Sequence, residues 1–237
     1  MRSVWPQTGE ADLEAIYAYP EDLDRPWVQV NFVASADGAV EIDTTSAGLS
    51  HAADREVFLL GRDLADVILV GAGTARAENY RGARTGAKHR ERRRRLGLSD
   101  VPPIAVVTRT GNLDPASPLF TDTHVPPIIV TTTTADTGGL DAEIVRAGDN
   151  DVDLRQALTL LADRGLKRID CEGGPALFAG LIAEDLVDQL CLTVAPLLAG
   201  GEAGRIAAGP PSVPRRMDLA SVLVEDGYTF LRYRRHG

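Results

Sequence analysis

The chain is poor in cysteine, in aromatic residues and in long apolar runs. Two cysteines, Cys171 and Cys191, occur among 237 residues. That is too few for a disulfide framework or a cysteine metal cage. Both fall in apolar, strand-like segments, which predicts reduced, buried thiols in a cytoplasmic protein. No H-x-E or P-C-x-x-C pattern occurs, so a zinc deaminase centre is excluded and no metal is expected. No stretch of about 18 apolar residues is present, so no membrane span is expected. The opening "MRSVWPQTGEADLEAIYAYP" carries acids and prolines where a signal peptide needs an apolar run. Basic residues are outnumbered, 25 against 34 acids, for a net charge of -9. A nucleic-acid binder usually shows the opposite balance. One segment departs from it, "KHRERRRR" (Lys88 to Arg95). It has no aromatics for base stacking and reads as a solvated loop or a short surface helix. The sharper alternative is a local attractor for an anionic substrate or cofactor.

What is present is alternation of strand and helix signals. "WVQVNFVAS" (27–35) places Val28, Val30 and Phe32 on one face of a strand, and "ADG" turns the chain. "HAADREVFLLGRDLA" is an amphipathic helix with Ala53, Val57, Leu60 and Leu64 on one stripe. "DVILVG" (66–71) is a buried strand, and "GTARAE" starts a short helix. Residues 79–100 read as a long loop holding at most a helical turn or so, and loops of that length are usually functional or mobile. Strands follow at "PIAVVTR", "PPIIVTTTT", "LKRIDC" and "VDQLCLTVAPLLAG". Helices follow at "DLRQALTLLADRG", with Gly165 at its C-terminal cap, and at "PALFAGLIAEDL", with Pro175 in its first turn. Two final strands meet at Asp226-Gly227, a hairpin signal. The pattern predicts one α/β domain, residues 27–237, behind an N-terminal extension, residues 1–26. A mostly parallel central sheet would be flanked by helices and end in an antiparallel C-terminal hairpin.

Three turns carry candidate chemistry. In "DCEGGPALFAG", Gly173 and Gly174 separate a strand from a helix, where bare N–H groups and the helix dipole suit a phosphate. A tight turn with no ligand reads equally well. "VILVGAGTARAE" puts Gly71 and Gly73 in the same setting. Arg76 stands where a dinucleotide fingerprint needs its third glycine, so an orthodox NAD fold is not indicated. One phosphate-rich ligand held between the two turns fits better. "VASADG" supplies Ser35 and Asp37 at a strand end, with Gly38 allowing the bend.

The succession "NFVASADG", "VILVGAGTARAE" and "EGGPALFAGLIAEDLVDQLCLTVAPLLAGG" resembles the riboflavin-biosynthesis reductase family, from about Trp27 onward. In many bacteria that family forms the C-terminal half of a bifunctional pyrimidine deaminase-reductase. The resemblance implies a dihydrofolate-reductase-like fold, a homodimer, NADPH as hydride donor and a ribosylaminopyrimidine phosphate as substrate. It implies cofactor contacts from Thr74 and Glu78, the latter replacing the family's Asp. Further cofactor contacts would come from Ala34, Gly71, Gly73, Thr108, Arg109, Gly173, Gly174, Pro175, Ala176 and Leu177, with Gly174 to Gly180 matching the phosphate-wrapping segment. Gly48 falls where some members carry a cofactor-contacting Trp. Substrate contacts are implied for Asn31, Ser35, Ser46, Arg62, Arg84 and Glu172. Asn31 stands where bacterial bifunctional members usually carry Lys. Ala36 replaces the Leu of "S-L-D-G", and "NYRGAR" stands where the family has "D-P-x-L-x-x-R".

The chemistry expected is hydride transfer to a C=N bond, favoured when the nitrogen is protonated. Asp37 and Glu172 are the candidate catalytic acids, Asp37 as an orienting or proton-relaying group and Glu172 as a hydrogen-bonding partner. Turn capping is the alternative for both. A dihydrofolate or pteridine reductase and a nucleotide-binding, non-catalytic homologue are the competing functions. The apolar strands near the C-terminus leave one sheet face without an evident helix to cover it, which agrees with a homodimer.

Overall fold

The computed structural model describes residues 1–43 and 45–236. In chain order its elements are β1 (Arg2–Trp5), β2 (Gly9–Glu10), α1 (Leu13–Tyr17), β3 (Trp27–Ser35), α2 (Ala52–Leu64), β4 (Val67–Gly71), α3 (Ala72–Ala77), α4 (Ala87–Arg95), β5 (Ile104–Val107), α5 (Pro118–Thr121), β6 (Ile128–Thr131), β7 (Glu143–Arg146), α6 (Leu154–Ala162), β8 (Arg168–Cys171), α7 (Pro175–Ala183), β9 (Gln189–Ala195), β10 (Met217–Glu225) and β11 (Tyr228–Arg235). All strands join one sheet in the order β2-β1-β10-β11-β9-β3-β8-β4-β5-β6-β7. The run from β9 to β7 is parallel, and β11, β10, β1 and β2 continue it antiparallel.

The parallel strands are apolar because both their faces are covered. On β4, Val67 and Leu69 enter one cluster with Leu158, Leu161, Leu177 and Phe178, while Ile68 and Val70 enter another with Leu119 and Ile129. A third cluster joins Tyr17, Val57, Leu60 and Leu64 to Cys191, Leu223 and Phe230, so α1 and α2 cover one face of the C-terminal strands. On the opposite face Leu192, Val194, Val222, Val224 and Leu231 stand half-buried. Both cysteines are free and buried, and burial pushes both thiols up to about 12. The C-terminal hairpin turns at Asp226 and Gly227, with φ of 48° and 84°. Two successive positive φ values match a type I′ turn, whose twist suits the flanking strands.

Within residues 1–26, expected as an N-terminal extension, β1 pairs with β10 and extends the sheet. The basic segment takes the short-helix alternative rather than the loop, with Lys88, Glu91, Arg94 and Arg95 exposed. It forms α4, and Arg93 is completely buried. Arg93 donates to the carbonyls of Arg62, Asp63, Ala65 and Ser99. It thus satisfies the carbonyls left open where α2 ends. Arg92 pairs with Asp63 and Glu14, Arg95 with Glu14 and Arg94 with Asp100. Arg92, Arg93, Arg94 and Arg95 thus all have partners within the chain.

Candidate functional site

The C-terminal ends of the parallel strands carry the three glycine- or threonine-bearing turns, the edge where ligands of open α/β sheets gather. The turn after β4 and the turn after β8 are fastened together. Gly71 N–H donates to the Gly173 carbonyl at 2.7 Å, and Glu172 N–H donates to the Leu69 carbonyl at 2.9 Å. Glycine is required at both positions of the second turn. Gly173 has φ of +89°, and a Cβ there meets the Phe32 ring at 2.8 Å. A Cβ on Gly174 meets Thr74 Oγ1 at 2.1 Å. Gly174 is the N-cap of α7 and brings no side-chain cap, so no side chain of the cap claims the first-turn N–H groups of α7. A Cβ on Gly73 would meet nothing within 4 Å, so its backbone is open.

Beside these turns lies a cleft of ≈ 1170 Å³ between β3, α2, the 78–81 segment and the β8–α7 turn. Its walls include Asn31, Phe32, Phe58, Arg62, Thr74, Tyr80, Glu172 and Gly174. Glu172 is 7% exposed and grips Arg62 in two bonds, Nε to Oε1 at 2.6 Å and Nη2 to Oε2 at 2.7 Å. The Tyr80 hydroxyl donates to Oε2 at 2.6 Å. The Arg62 guanidinium lies 4.5 Å from the Phe58 ring centroid and 5.7 Å from that of Tyr80. Burial opposes the charge on Arg62, but Glu172 outweighs it and holds the guanidinium protonated above its ordinary range. Burial, then the Glu172 charge, pushes the Tyr80 phenol well up, so it remains a neutral donor. Asn31 is buried with its Nδ2 unpartnered, although it lines the cleft.

The cleft gathers Asn31, Ser46, Arg62, Thr74, Glu78, Glu172, Gly174 and Pro175 from the sequence-derived set. Gly71, Gly73 and Gly173 form the turns beside it. Ser46 and Glu78, expected on opposite ligands, bond to each other: the Ser46 N–H and Oγ both donate to Glu78 Oε1 at 3.0 Å. Thr108 and Arg109 follow β5 on the same sheet edge. Thr108 is buried, Arg109 is exposed, and the Arg109 carbonyl accepts from Thr132 Oγ1 at 3.1 Å. Ala176 is exposed on α7, whereas Leu177 points into the core and Ala34 is buried on β3. Gly48 is exposed in the turn after Ser46 and is not on the cleft wall.

Three candidates lie elsewhere. Asp37 is exposed, outside the cleft wall, and its carboxylate accepts from Ser35 Oγ and from the N–H groups of Ala199 and Gly200. The Ser35 bond first, then the two N–H groups, hold Asp37 down to about 2, so it is a charged acceptor without a proton to relay. It ties its own turn to the 199–200 backbone instead of capping that turn. Ser35 spends its hydroxyl on Asp37 and on the Ala39 N–H at 2.8 Å, leaving it no evident role with substrate. Arg84 is exposed and paired with Asp122, away from the cleft. The sequence reading overlooked Tyr80 and Phe58. Tyr80 had one signal, being the first aromatic after the glycine turn and two residues beyond Glu78.

A mainly parallel sheet with antiparallel C-terminal strands, flanking helices and a cleft at the parallel strand ends defines the dihydrofolate-reductase-like α/β class. The chain belongs to the RibD C-terminal domain family, which it matches over residues 26–228. Among curated proteins it is 28% identical over 183 residues to the 2,5-diamino-6-ribosylamino-4(3H)-pyrimidinone 5′-phosphate reductase of Archaeoglobus fulgidus, covering 75% of this chain and 83% of that one. It is 28% identical over 211 residues to the enzyme of the same description from Methanothermobacter thermautotrophicus, covering 86% and 94%. Among solved structures, a pyrimidine reductase-like protein from Corynebacterium diphtheriae shares the fold with a TM-score of 0.81 at 23% identity, over 96% of this chain and 100% of that one. The deaminase/reductase of Thermotoga maritima shares it with a TM-score of 0.71 at 19% identity, over 90% and 57%.

Proposed function

We propose that this chain is an NADPH-dependent reductase of a C=N bond in a ribosylaminopyrimidine phosphate, acting as a homodimer in the cytoplasm. One observation carries the reading. A glycine cradle with bare backbone and a buried cation–carboxylate pair adjoin each other at one edge of one sheet. The curated relatives are described as reductases of a diaminopyrimidinone ribosyl phosphate, which supports the same substrate class here.

The cradle fits a dinucleotide phosphate. The first-turn N–H groups of α7, without a cap side chain, suit an anion. The close approach at Gly174, where even a methyl group would strike Thr74, suits bare backbone meeting phosphate. Gly71, Gly73, Thr74, Gly173, Gly174 and Pro175 would hold it, with Thr108 and Arg109 on the adenosine side. Arg109 and Arg76 are the cations available to a 2′-phosphate, and such charge-assisted contacts are strong. The cofactor supplies hydride. The remaining work belongs to the protein's side chains. Phe32, Phe58 and Leu59 give the cleft an apolar part of its wall. Glu172 accepts hydrogen bonds only and favours a protonated imine nitrogen, the better hydride acceptor. The free Asn31 amide donates to a ring carbonyl.

The test is cofactor oxidation against a panel of ribosylaminopyrimidine phosphates and pterins, run with NADPH and with NADH. Oxidation of NADPH confined to the pyrimidine phosphates is expected. Turnover with pterins alone, or NADH binding as tightly as NADPH, would overturn the reading.

A further inference from the structure

The Arg62–Glu172 pair leaves open which of the two carboxylate oxygens meets a ligand, and Tyr80 decides it. A carboxylate has about four acceptor positions on its two oxygens. Oε2 is filled by Arg62 Nη2 at 2.7 Å and by the Tyr80 hydroxyl at 2.6 Å. Oε1 holds only Arg62 Nε at 2.6 Å. The single remaining position is therefore on Oε1. We propose that Tyr80 is a positioning residue that, by occupying Oε2, fixes Glu172 so that Oε1 alone receives an N–H of the substrate. The inference rests on the reductase reading above for the identity of that N–H, a nitrogen of the aminopyrimidine or its imine.

Local backbone explains how Tyr80 reaches this place. Glu78 is the C-cap of α3, and Asn79 follows with φ of +48°. The Tyr80 N–H returns to the Ala75 carbonyl at 2.8 Å, and the Asn79 N–H to the Arg76 carbonyl at 3.2 Å. That is the paired bonding of a Schellman motif, with Asn taking the left-handed position. The motif ends the helix after the glycine turn and swings the next aromatic side chain over the cleft. Its ring centroid lies 5.7 Å from the Arg62 guanidinium and its hydroxyl bonds Glu172, so Tyr80 touches both members of the pair it orients.

The hydroxyl is separable from the ring. Tyr80→Phe keeps the ring beside Arg62 and removes only the donor to Oε2. With the pyrimidine phosphate and NADPH, the variant is expected to lose roughly ten- to a hundredfold in kcat, the worth of one hydrogen bond to a charged group. The NADPH dissociation constant stays unchanged, while the thermal midpoint falls modestly for the one hydrogen bond lost at a buried carboxylate. In a Glu172→Gln background the same substitution has little further effect on kcat, because the two groups act as one unit. Wild-type kcat in Tyr80→Phe, or an equal loss in both backgrounds, would sink the proposal. A crystal structure of Tyr80→Phe gives an answer independent of turnover. The Glu172 carboxylate turning, or splitting between orientations, supports the role of Tyr80, and a carboxylate left in place overturns it. If wild-type protein fails to oxidise NADPH with any pyrimidine phosphate, the reductase reading falls, and that crystal structure still decides the role of Tyr80.

Discussion

The Arg93 guanidinium donates to the Arg62 carbonyl at 2.7 Å, so a completely buried cation of α4 holds the backbone of the residue whose side chain grips Glu172. Burial pulls Arg93 down to about 10, still charged at neutral pH. Arg93→Met fills the space but strands several buried carbonyls at the end of α2. A loss of about 2–4 kcal/mol is expected from unsatisfied buried polar groups. Urea unfolding of the variant checks it, and a loss under about 0.5 kcal/mol, the scale of a neutral surface change, would show that water replaces the cap.

At the cradle, Gly174→Ala brings a methyl group against Thr74 Oγ1. NADPH affinity is expected to fall at least about tenfold, a misplacement of roughly 1.4 kcal/mol. Fluorescence titration of the variant against wild type tests this. Equal affinity in Gly174→Ala and wild type would remove the glycine turn from the cofactor site.

Asp37 is held at about 2, below the ordinary carboxylate value of 3.8. Its contribution to stability is therefore complete above about pH 4 and lost as the pH falls from there towards 2. Asp37→Asn should flatten that part of the stability curve and leave kcat at neutral pH within a few-fold of wild type. A hundredfold fall in kcat would return Asp37 to the list of catalytic groups.

Asp170 shows the opposite sign. It is buried on β8 with both carboxylate oxygens unpartnered. A Cβ on Gly61 of α2 would meet Oδ2 at 2.7 Å. Burial first, then the Glu172 charge, raises it well above 3.8, so it stays protonated in the fold while an unfolded chain would release the proton. Its contribution is complete below about pH 4 and declines as the pH rises towards the folded value. Asp170→Asn keeps shape and neutrality. It should melt higher than wild type at pH 7, with the gap closing near pH 3. A lower melting point at both pH values would mean that Asp170 is ionised.

The half-buried face formed by Leu192, Val194, Val222, Val224 and Leu231 is the surface expected to pair two copies. Light scattering should report close to twice 25.3 kDa. Leu231→Asp should halve that mass at micromolar concentration. A wild-type monomer would refute the homodimer.

The sequence was legible where the physics is local. β3, β4, α2, α6 and the β10–β11 hairpin follow from periodicity, apolar runs and Asp226-Gly227. β7 was missed because "EIVR" alternates over only four residues at a sheet edge. α4 was one of two readings for the basic run, and its partners were hidden because they lie as far off as Glu14, 81 residues away from Arg95. The Arg62–Glu172 pair spans 110 positions. Resemblance named both residues, but no spacing rule shows that they bind each other. Ser35 and Asp37 look chemical in sequence and are spent on each other and on backbone.

The bonds from Ser46 to Glu78 join the segment entering α2 to the cap of α3, and so tie a residue of the proposed pyrimidine site to one of the proposed nucleotide site. On that reading the two ligands would be coupled, and such coupling is reciprocal. The factor by which the dinucleotide tightens the pyrimidine must equal the factor by which the pyrimidine tightens the dinucleotide. Ser46→Ala, which removes one of the two bonds, should weaken that mutual preference while leaving each ligand's separate affinity nearly as it was.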